Sequence, residues 1–275
     1  VNNNMVFLIC IFIGLLSAFI GALMGLGGGV VLIPSLLFAA QVSSSFAWVT
    51  PQSVVGISLI VMVFTALSST IAYLKNGRVD YRTGLLFLLG SVPGGMIGSW
   101  LNQYINTESF QLYFGFIIIV VSMLFFLNKN SKQKKPLQGK PARHFESQGE
   151  IFIYHVPFWT AFFVSLTVGI LSGLFGIGGG AIMVPVMILL FGMPAHIAIA
   201  TSMFMIFFVS VIGTSSHITL GHMVWEYAFY FIPGAWIGGK LGAKVNQLLT
   251  GKMLEGILRI VLIMIGIRMI YQGLM

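Results

Sequence analysis

Apolar runs recur along the whole chain, separated by polar or glycine interruptions. In the first half they cover residues 5–25, 29–41, 53–74, 83–101 and 109–127. In the second half they cover 157–175, 180–191, 197–217, 224–243 and 253–271. Most approach the roughly twenty residues that a helix needs to cross a bilayer. The second run of each half is shorter, and both short runs follow a cluster of glycines. The pattern predicts an all-α polytopic membrane protein, with about four long transmembrane helices and one short broken or re-entrant helix in each half.

The halves are related in sequence. Gly25, Leu26, Gly27, Gly28, Gly29 and Val30 onward to Pro34 match Gly176, Ile177, Gly178, Gly179, Gly180 and Ala181 onward to Pro185. Ser58, Thr70 and Gly77 fall opposite Ser202, Thr214 and Gly221. The run Val92, Pro93, Gly94, Gly95 falls opposite Ile232, Pro233, Gly234, Ala235. A duplication then organises the chain as a first transmembrane repeat (1–128), a basic linker (129–156) and a second transmembrane repeat (157–275).

Basic residues add orientation to this pattern, because short cytoplasmic loops carry Lys and Arg in excess. Lys75, Arg78 and Arg82 follow the third segment, and Lys129, Lys132, Lys134, Lys135, Lys140 and Arg143 fill the linker. In the second half Thr219 to Trp225 has no Lys or Arg, whereas Lys240, Lys244 and Lys252 lie between the fourth and fifth segments. If each short segment returns the chain to the side it came from, the repeats are inverted and all these groups share the cytoplasmic face. Both termini are then expected outside. A parallel repeat is the alternative.

Composition narrows the function classes. The chain is 57% hydrophobic and 7% charged, which excludes a soluble fold. The formal charge of +8 reflects loops between spans, so nucleic acid is not an expected partner. Cys10 is the only cysteine, leaving neither a disulfide framework nor a thiol pair. Val1 to Asn4 lack the basic start of a secretory signal, and the first span is expected to be retained. No GxSxG, Walker-type or HExxH pattern occurs, and no cofactor is expected.

The chemistry must come from groups a bilayer tolerates. Three consecutive glycines expose backbone N–H groups without a Cβ to hold a ligand away, and a helix starting after them adds the positive end of its dipole. Gly27, Gly28, Gly29 and Gly178, Gly179, Gly180 are therefore candidates to hold a small anion near the membrane midplane. The alternative is that these small residues only let helices pack closely. Hydroxyl and amide donors within the apolar runs extend the candidate set: Gln52, Ser53, Ser58, Thr201, Ser202, Thr214, Ser215 and Ser216. Ser58 and Ser202 stand out as repeat mates. His196 and His217 could relay protons, although each lies near a span end. Glu255 and Arg259 are spaced for an ion pair, and Arg268 can snorkel. Two other functions remain open, a membrane enzyme with a histidine acid or base and a scaffold without activity.

The glycine clusters and the Ala200, Thr201, Ser202 stretch resemble the sulfite exporter TauE/SafE family of membrane permeases. The resemblance rests on Gly21 to Pro34, Gly169 to Pro185, Ala198 to Ser202, and the run from Pro233 through Gly238 and Gly239. It implies transport of small anions such as sulfite, sulfoacetate or other organosulfonates, usually outward across the cytoplasmic membrane. The first repeat has Gly56, Ile57, Ser58 where the second has Ala200, Thr201, Ser202, so an asymmetric site is expected. The expected partners are a small anionic substrate and the lipid bilayer, with association into a homodimer left open.

Overall fold

A computed structural model describes residues 3–127, 143–147 and 149–274. Its helices are α1 (Asn3–Met24), α2 (Gly29–Val42), α3 (Pro51–Lys75), α4 (Tyr81–Asn102), α5 (Thr107–Leu127), α6 (Phe158–Phe175), α7 (Gly180–Leu189), α8 (Ala195–Thr219), α9 (Trp225–Asn246) and α10 (Gly251–Leu274). Among the described residues, α1 from Met5, α3, α4, α6 and α8 are long and apolar enough to cross a membrane, while α2 and α7 are shorter apolar helices. The sequence boundaries agree with these elements to within a few residues.

Local chemistry sets several boundaries. Thr50 opens α3 with a capping box: its hydroxyl accepts from Ser53 N–H at 3.2 Å, and Ser53 Oγ accepts from Thr50 N–H at 2.8 Å. Pro51 occupies the first turn, where its missing N–H costs nothing. The expectation that Ser53 serves a ligand thus gives way to this capping role. Pro34 and Pro185 lie inside α2 and α7.

Helices pack through glycine ladders. Gly234, Gly238 and Gly242 of α9 press successively on Ile11 to Leu15, Leu15 to Phe19 and Phe19 to Leu23, so α1 and α9 run parallel. Gly90, Gly94 and Gly98 of α4 press in the same way on Phe162 to Leu166, Leu166 to Ile170 and Ile170 to Leu174 of α6. Such small faces let backbones approach closely where burial from water supplies no drive. These ladders correct the sequence register: Gly90 does what Gly234 does, so Pro93 and Pro233 are one helical turn apart rather than equivalent. A ladder that repeats every four residues fits the sequence nearly as well after a one-turn slip. The central helices α3 and α8 run antiparallel, with Gly56 beside His217 and Gly213 beside Leu59.

Among the described residues one element, a hairpin, is not helical. Within the expected linker, β1 (Arg143–Ser147) and β2 (Glu150–Tyr154) pair antiparallel, with Arg143 opposite Tyr154 and Phe145 opposite Phe152. The hairpin is the exception to the all-α expectation, and it is exposure rather than polarity that alternates along its strands, Phe145 and Ser147 and likewise Phe152 and Tyr154 being more buried than the residues between them. Lys129, Lys132, Lys134, Lys135 and Lys140 lie outside the described residues, as does the side chain of Glu255 with its expected pairing to Arg259. Arg268, expected to snorkel, sits 4.4 Å above the ring of Phe38.

Candidate functional site

The two glycine breaks meet in the protein interior. After α1 ends, Gly25, Gly27 and Gly28 all take positive φ, and α2 begins at Gly29. After α6, Gly176, Gly178 and Gly179 do the same before α7 begins at Gly180. Gly28 and Gly179 are the N-cap residues, both left-handed and neither supplying a side-chain cap. A side chain at these dihedrals would be strained, which is why the chain turns here on glycine.

Each break is completed by the other half. Ser58 Oγ of α3 donates to Gly176 O at 2.9 Å, and Ser202 Oγ of α8 donates to Gly25 O at 2.7 Å. The same two carbonyls lie against the first residues of the short helices, Gly176 O on Gly29 and Gly25 O on Gly180, so closely that a Cβ at either glycine would overlap the oxygen. Gly27 and Gly178 both lie beside the sulfur of Met62 and the Cγ2 of Ile206. Met62 and Ile206 each stand near the middle of a 25-residue helix. The breaks thus converge halfway along α3 and α8, with apolar side chains between them.

A narrow recess opens beside the second break. Its walls include Ser172, Gly178, Gly179, Gly180, Ser202 and Ile206, and its interior holds about 10 Å³, close to one water molecule. Ser172 Oγ is buried and has no hydrogen-bond partner among the described residues. Sequence reading passed over Ser172, although its position four residues before Gly176 is occupied by Gly21 in the first half. At Gly21 a Cβ would overlap Gly28 N, so the first break has no matching space. The two breaks therefore differ at Gly21 and Ser172, a place other than the Ile57 and Thr201 pair from which the sequence leads us to expect an asymmetric site.

The remaining candidates lie elsewhere. Gln52 Nε2 donates to Ile105 O at 3.1 Å and to Asn102 O at 3.4 Å, tying the start of α3 to the α4–α5 corner. Thr201 Oγ1 accepts from Asp80 N–H at 3.1 Å. The structure therefore brings Ser58 and Ser202 to the glycines, with their protons already donated to carbonyls, and does not bring Gln52 or Thr201 there. Ser215 and Ser216 donate to carbonyls one turn back, at Val211 and Ile212. Thr214 and its mate Thr70 are buried, and neither hydroxyl has a partner among the described residues. His217 is fully buried, with its Nδ1 3.2 Å from Nδ1 of His222, while His196 meets the ring of Phe152 edge-on. Burial lowers the His222 pKa. Among the described residues no group of three His, Cys, Asp or Glu could hold a metal ion.

A buried carboxylate, Asp80, was not among the candidates taken from the sequence. Asp80 caps α4 by accepting from Thr83 N–H at 3.2 Å and Thr83 Oγ1 at 2.6 Å. Arg143 grips both of its oxygens, Nη2 to Oδ1 at 2.8 Å and Nε to Oδ2 at 3.1 Å, and Tyr154 OH donates to Oδ2 at 2.5 Å. Burial pushes the Asp80 pKa up, but hydrogen bonds from Arg143, Thr83 and Tyr154 outweigh it and hold the pKa at about 2. Burial and the adjacent carboxylate raise the Tyr154 phenol. The hairpin is thereby fastened to the α3–α4 turn and, through Thr201, to α8.

Comparison with known proteins gives a consistent picture. The family described as Sulfite exporter TauE/SafE matches residues 10–269. A "Probable membrane transporter protein YunE" of Bacillus subtilis (strain 168) is 45% identical over 271 residues, covering 98% of this chain and 99% of that protein. A "Probable membrane transporter protein" of Xylella fastidiosa (strain Temecula1 / ATCC 700964) is 26% identical, covering 94% and 93%. One of Haemophilus influenzae is 24% identical, covering 94% and 92%. No solved structure matches.

Proposed function

Because this chain belongs to the sulfite exporter TauE/SafE family and is a membrane transporter rather than an enzyme, we propose that it carries a small oxyanion, sulfite or an organosulfonate such as sulfoacetate, by alternating access at the paired glycine breaks. The observation that carries this reading is the convergence of the two breaks at mid-helix. Each presents an uncapped helix N-terminus, the element that binds anions without a formal charge in the bilayer. Met62 and Ile206 fill the space between the breaks, and the adjoining recess admits about one water. Admission of a substrate therefore requires α3 and α8 to move relative to the breaks they hold.

The reading includes two inverted repeats. It is supported by pairs of equivalent contacts: Asn246 Nδ2 donates to Leu23 O and Asn102 Nδ2 to Leu174 O, both at 2.7 Å. Tyr73 OH donates to Ala22 O at 2.8 Å, which puts the ends of α1, α3 and α9 at one level. Lys75, Arg78, Arg82, Lys244 and the hairpin belong to that level, and His217, His222 and Gln52 to the opposite one. The basic level is the cytoplasmic one by the distribution of charge. The reading takes the transmembrane repeats as 1–128 and 157–275 and the basic linker as 129–156.

Flux tests the substrate: proteoliposomes containing the purified chain are expected to show saturable sulfite or sulfoacetate flux above protein-free vesicles. Absence of flux for either anion and for other small sulfonates, with folding verified by a cooperative melt, would overturn the transport reading. Cysteine labelling tests the orientation. In a Cys10→Ala background, Asn76→Cys and Thr219→Cys are expected to react with an impermeant thiol reagent from opposite sides of the membrane. Reaction from the same side would exclude the inverted arrangement.

A further inference from the structure

At the basic level of the molecule, the last turns of α3 and α9 enclose a cavity of about 310 Å³. Lys75, Lys240 and Lys244 line it together with the amides of Asn76 and Gln247, and among the described residues no carboxylate does. Lys240 and Lys244 are four apart on one helix face, a like-charge spacing that disfavours the helix unless an anion joins them. The inner wall is different: Ile71, Ala72 and Trp236 make it mostly apolar, and the hydroxyl of Ser68, which also lines it, already donates to Thr65 O at 3.1 Å. Trp236 and Ile71 are themselves exposed along the helix flanks, where lipid surrounds a spanning segment.

The other half lacks this chemistry at the corresponding place. Following the register fixed by the glycine ladders, Lys240 and Lys244 correspond to Met96 and Trp100, and Lys75 corresponds to Thr219. Met96 and Trp100 are exposed, and Trp100 meets Tyr104 edge-on. The side of the membrane accounts for lysines on this face and not on the other; what sets the cavity apart is that three of them converge beside an apolar wall.

We propose that this cavity is a binding site for an anionic phospholipid, with the headgroup phosphate held by Lys75, Lys240 and Lys244 and an acyl chain lying against Trp236 and Ile71. Phosphate donors at the mouth and an apolar floor match an amphiphile, whereas a soluble anion would use only the mouth. The site lies outside the glycine breaks, and its occupancy is independent of whether the chain transports sulfite.

Native mass spectrometry of the full chain in detergent tests the site, with dioleoylphosphatidylglycerol, dioleoylphosphatidylcholine and inorganic phosphate as probes. The wild type is expected to retain phosphatidylglycerol in preference to phosphatidylcholine. Replacing all three lysines by Gln should weaken phosphatidylglycerol retention, about fivefold per lysine and on the order of a hundredfold together. The triple Lys→Arg variant should stay within a few-fold of wild type, and Lys252→Gln, outside the cavity, should not change retention. Equal retention of the two lipids, or an unchanged triple Gln variant, would overturn the proposal. Displacement of the lipid by millimolar inorganic phosphate would overturn it too, by assigning the lysines to a soluble anion.

Discussion

On the transport reading proposed above, Gly180→Ala is expected to lower anion flux in proteoliposomes by roughly tenfold or more and to lower the melting temperature. The added methyl would overlap Gly25 O and approach Ile206 Cδ1 to 2.6 Å. Because the obstructing atom is a backbone oxygen already held by Ser202, it cannot rotate away as a side chain would. Overpacking of this kind costs about 1–3 kcal/mol. Gly29→Ala should behave similarly through Gly176 O, since that oxygen is held by Ser58 in the same manner. Gly256→Ala is the comparator, because among the described residues, its chain neighbours and its own helix backbone aside, no heavy atom lies within 4 Å of the added Cβ. Gly266 would serve poorly, since a Cβ there meets Ile119 Cγ1 at 2.6 Å. If Gly180→Ala and Gly256→Ala match in flux and melting, the close contact between the breaks has no functional weight.

Asp80→Asn is expected to destabilise the hairpin and the α3–α4 turn by about 2–3 kcal/mol. An amide keeps the size of the carboxylate but offers one oxygen to the donors of Arg143, Tyr154 and Thr83, and presents its own N–H groups to the rest. Limited proteolysis of the hairpin should accelerate, and a cycle with Arg143→Gln should be non-additive because the two side chains share their bonds. The wild-type contact also has a definite pH window. The carboxyl pKa is lowered in the folded state, from an ordinary 3.8 to about 2. The protons that matter are bound more readily by the unfolded state, so the contribution is complete above pH ~4 and is lost as the pH falls toward 2. Hairpin protection that is constant from pH 8 to 5 and falls below pH 4 would agree. Protection that changes between pH 8 and 6, or additive effects of the two substitutions, would sink this assignment.

Much of the architecture is legible in the sequence because bilayer physics leaves few options. Runs of apolar residues mark α1 to α10, and the glycine triplets mark where α2 and α7 begin. The pairing of Ser58 with Ser202 is legible as repetition, but the role is not: a hydroxyl that serves an anion and one that serves a carbonyl look alike on paper. Met62 and Ile206 are invisible for the opposite reason, being apolar residues among many, and only their meeting with Gly27 and Gly178 distinguishes them. Asp80 is passed over because a lone acid beside Lys75, Arg78 and Arg82 carries no pattern of its own. Its partners, Arg143 and Tyr154, are remote in the chain. The hairpin that carries them was hidden by the basic composition of the residues before it.

The parallel pairing of α1 with α9 bears on how the chain is made. Synthesis runs from the N-terminus, so α1 enters the membrane long before the segment Trp225–Asn246 exists. Until then the surface of α1 that will receive Gly234, Gly238 and Gly242 has only lipid or the translocation machinery against it. The α4 ladder waits less, because α6 follows once the linker and hairpin have been added. The order of emergence therefore closes one side of the bundle early and leaves the other open until the penultimate helix arrives. A ribosome that stalls before Trp225 strands a first helix whose partner has not been made.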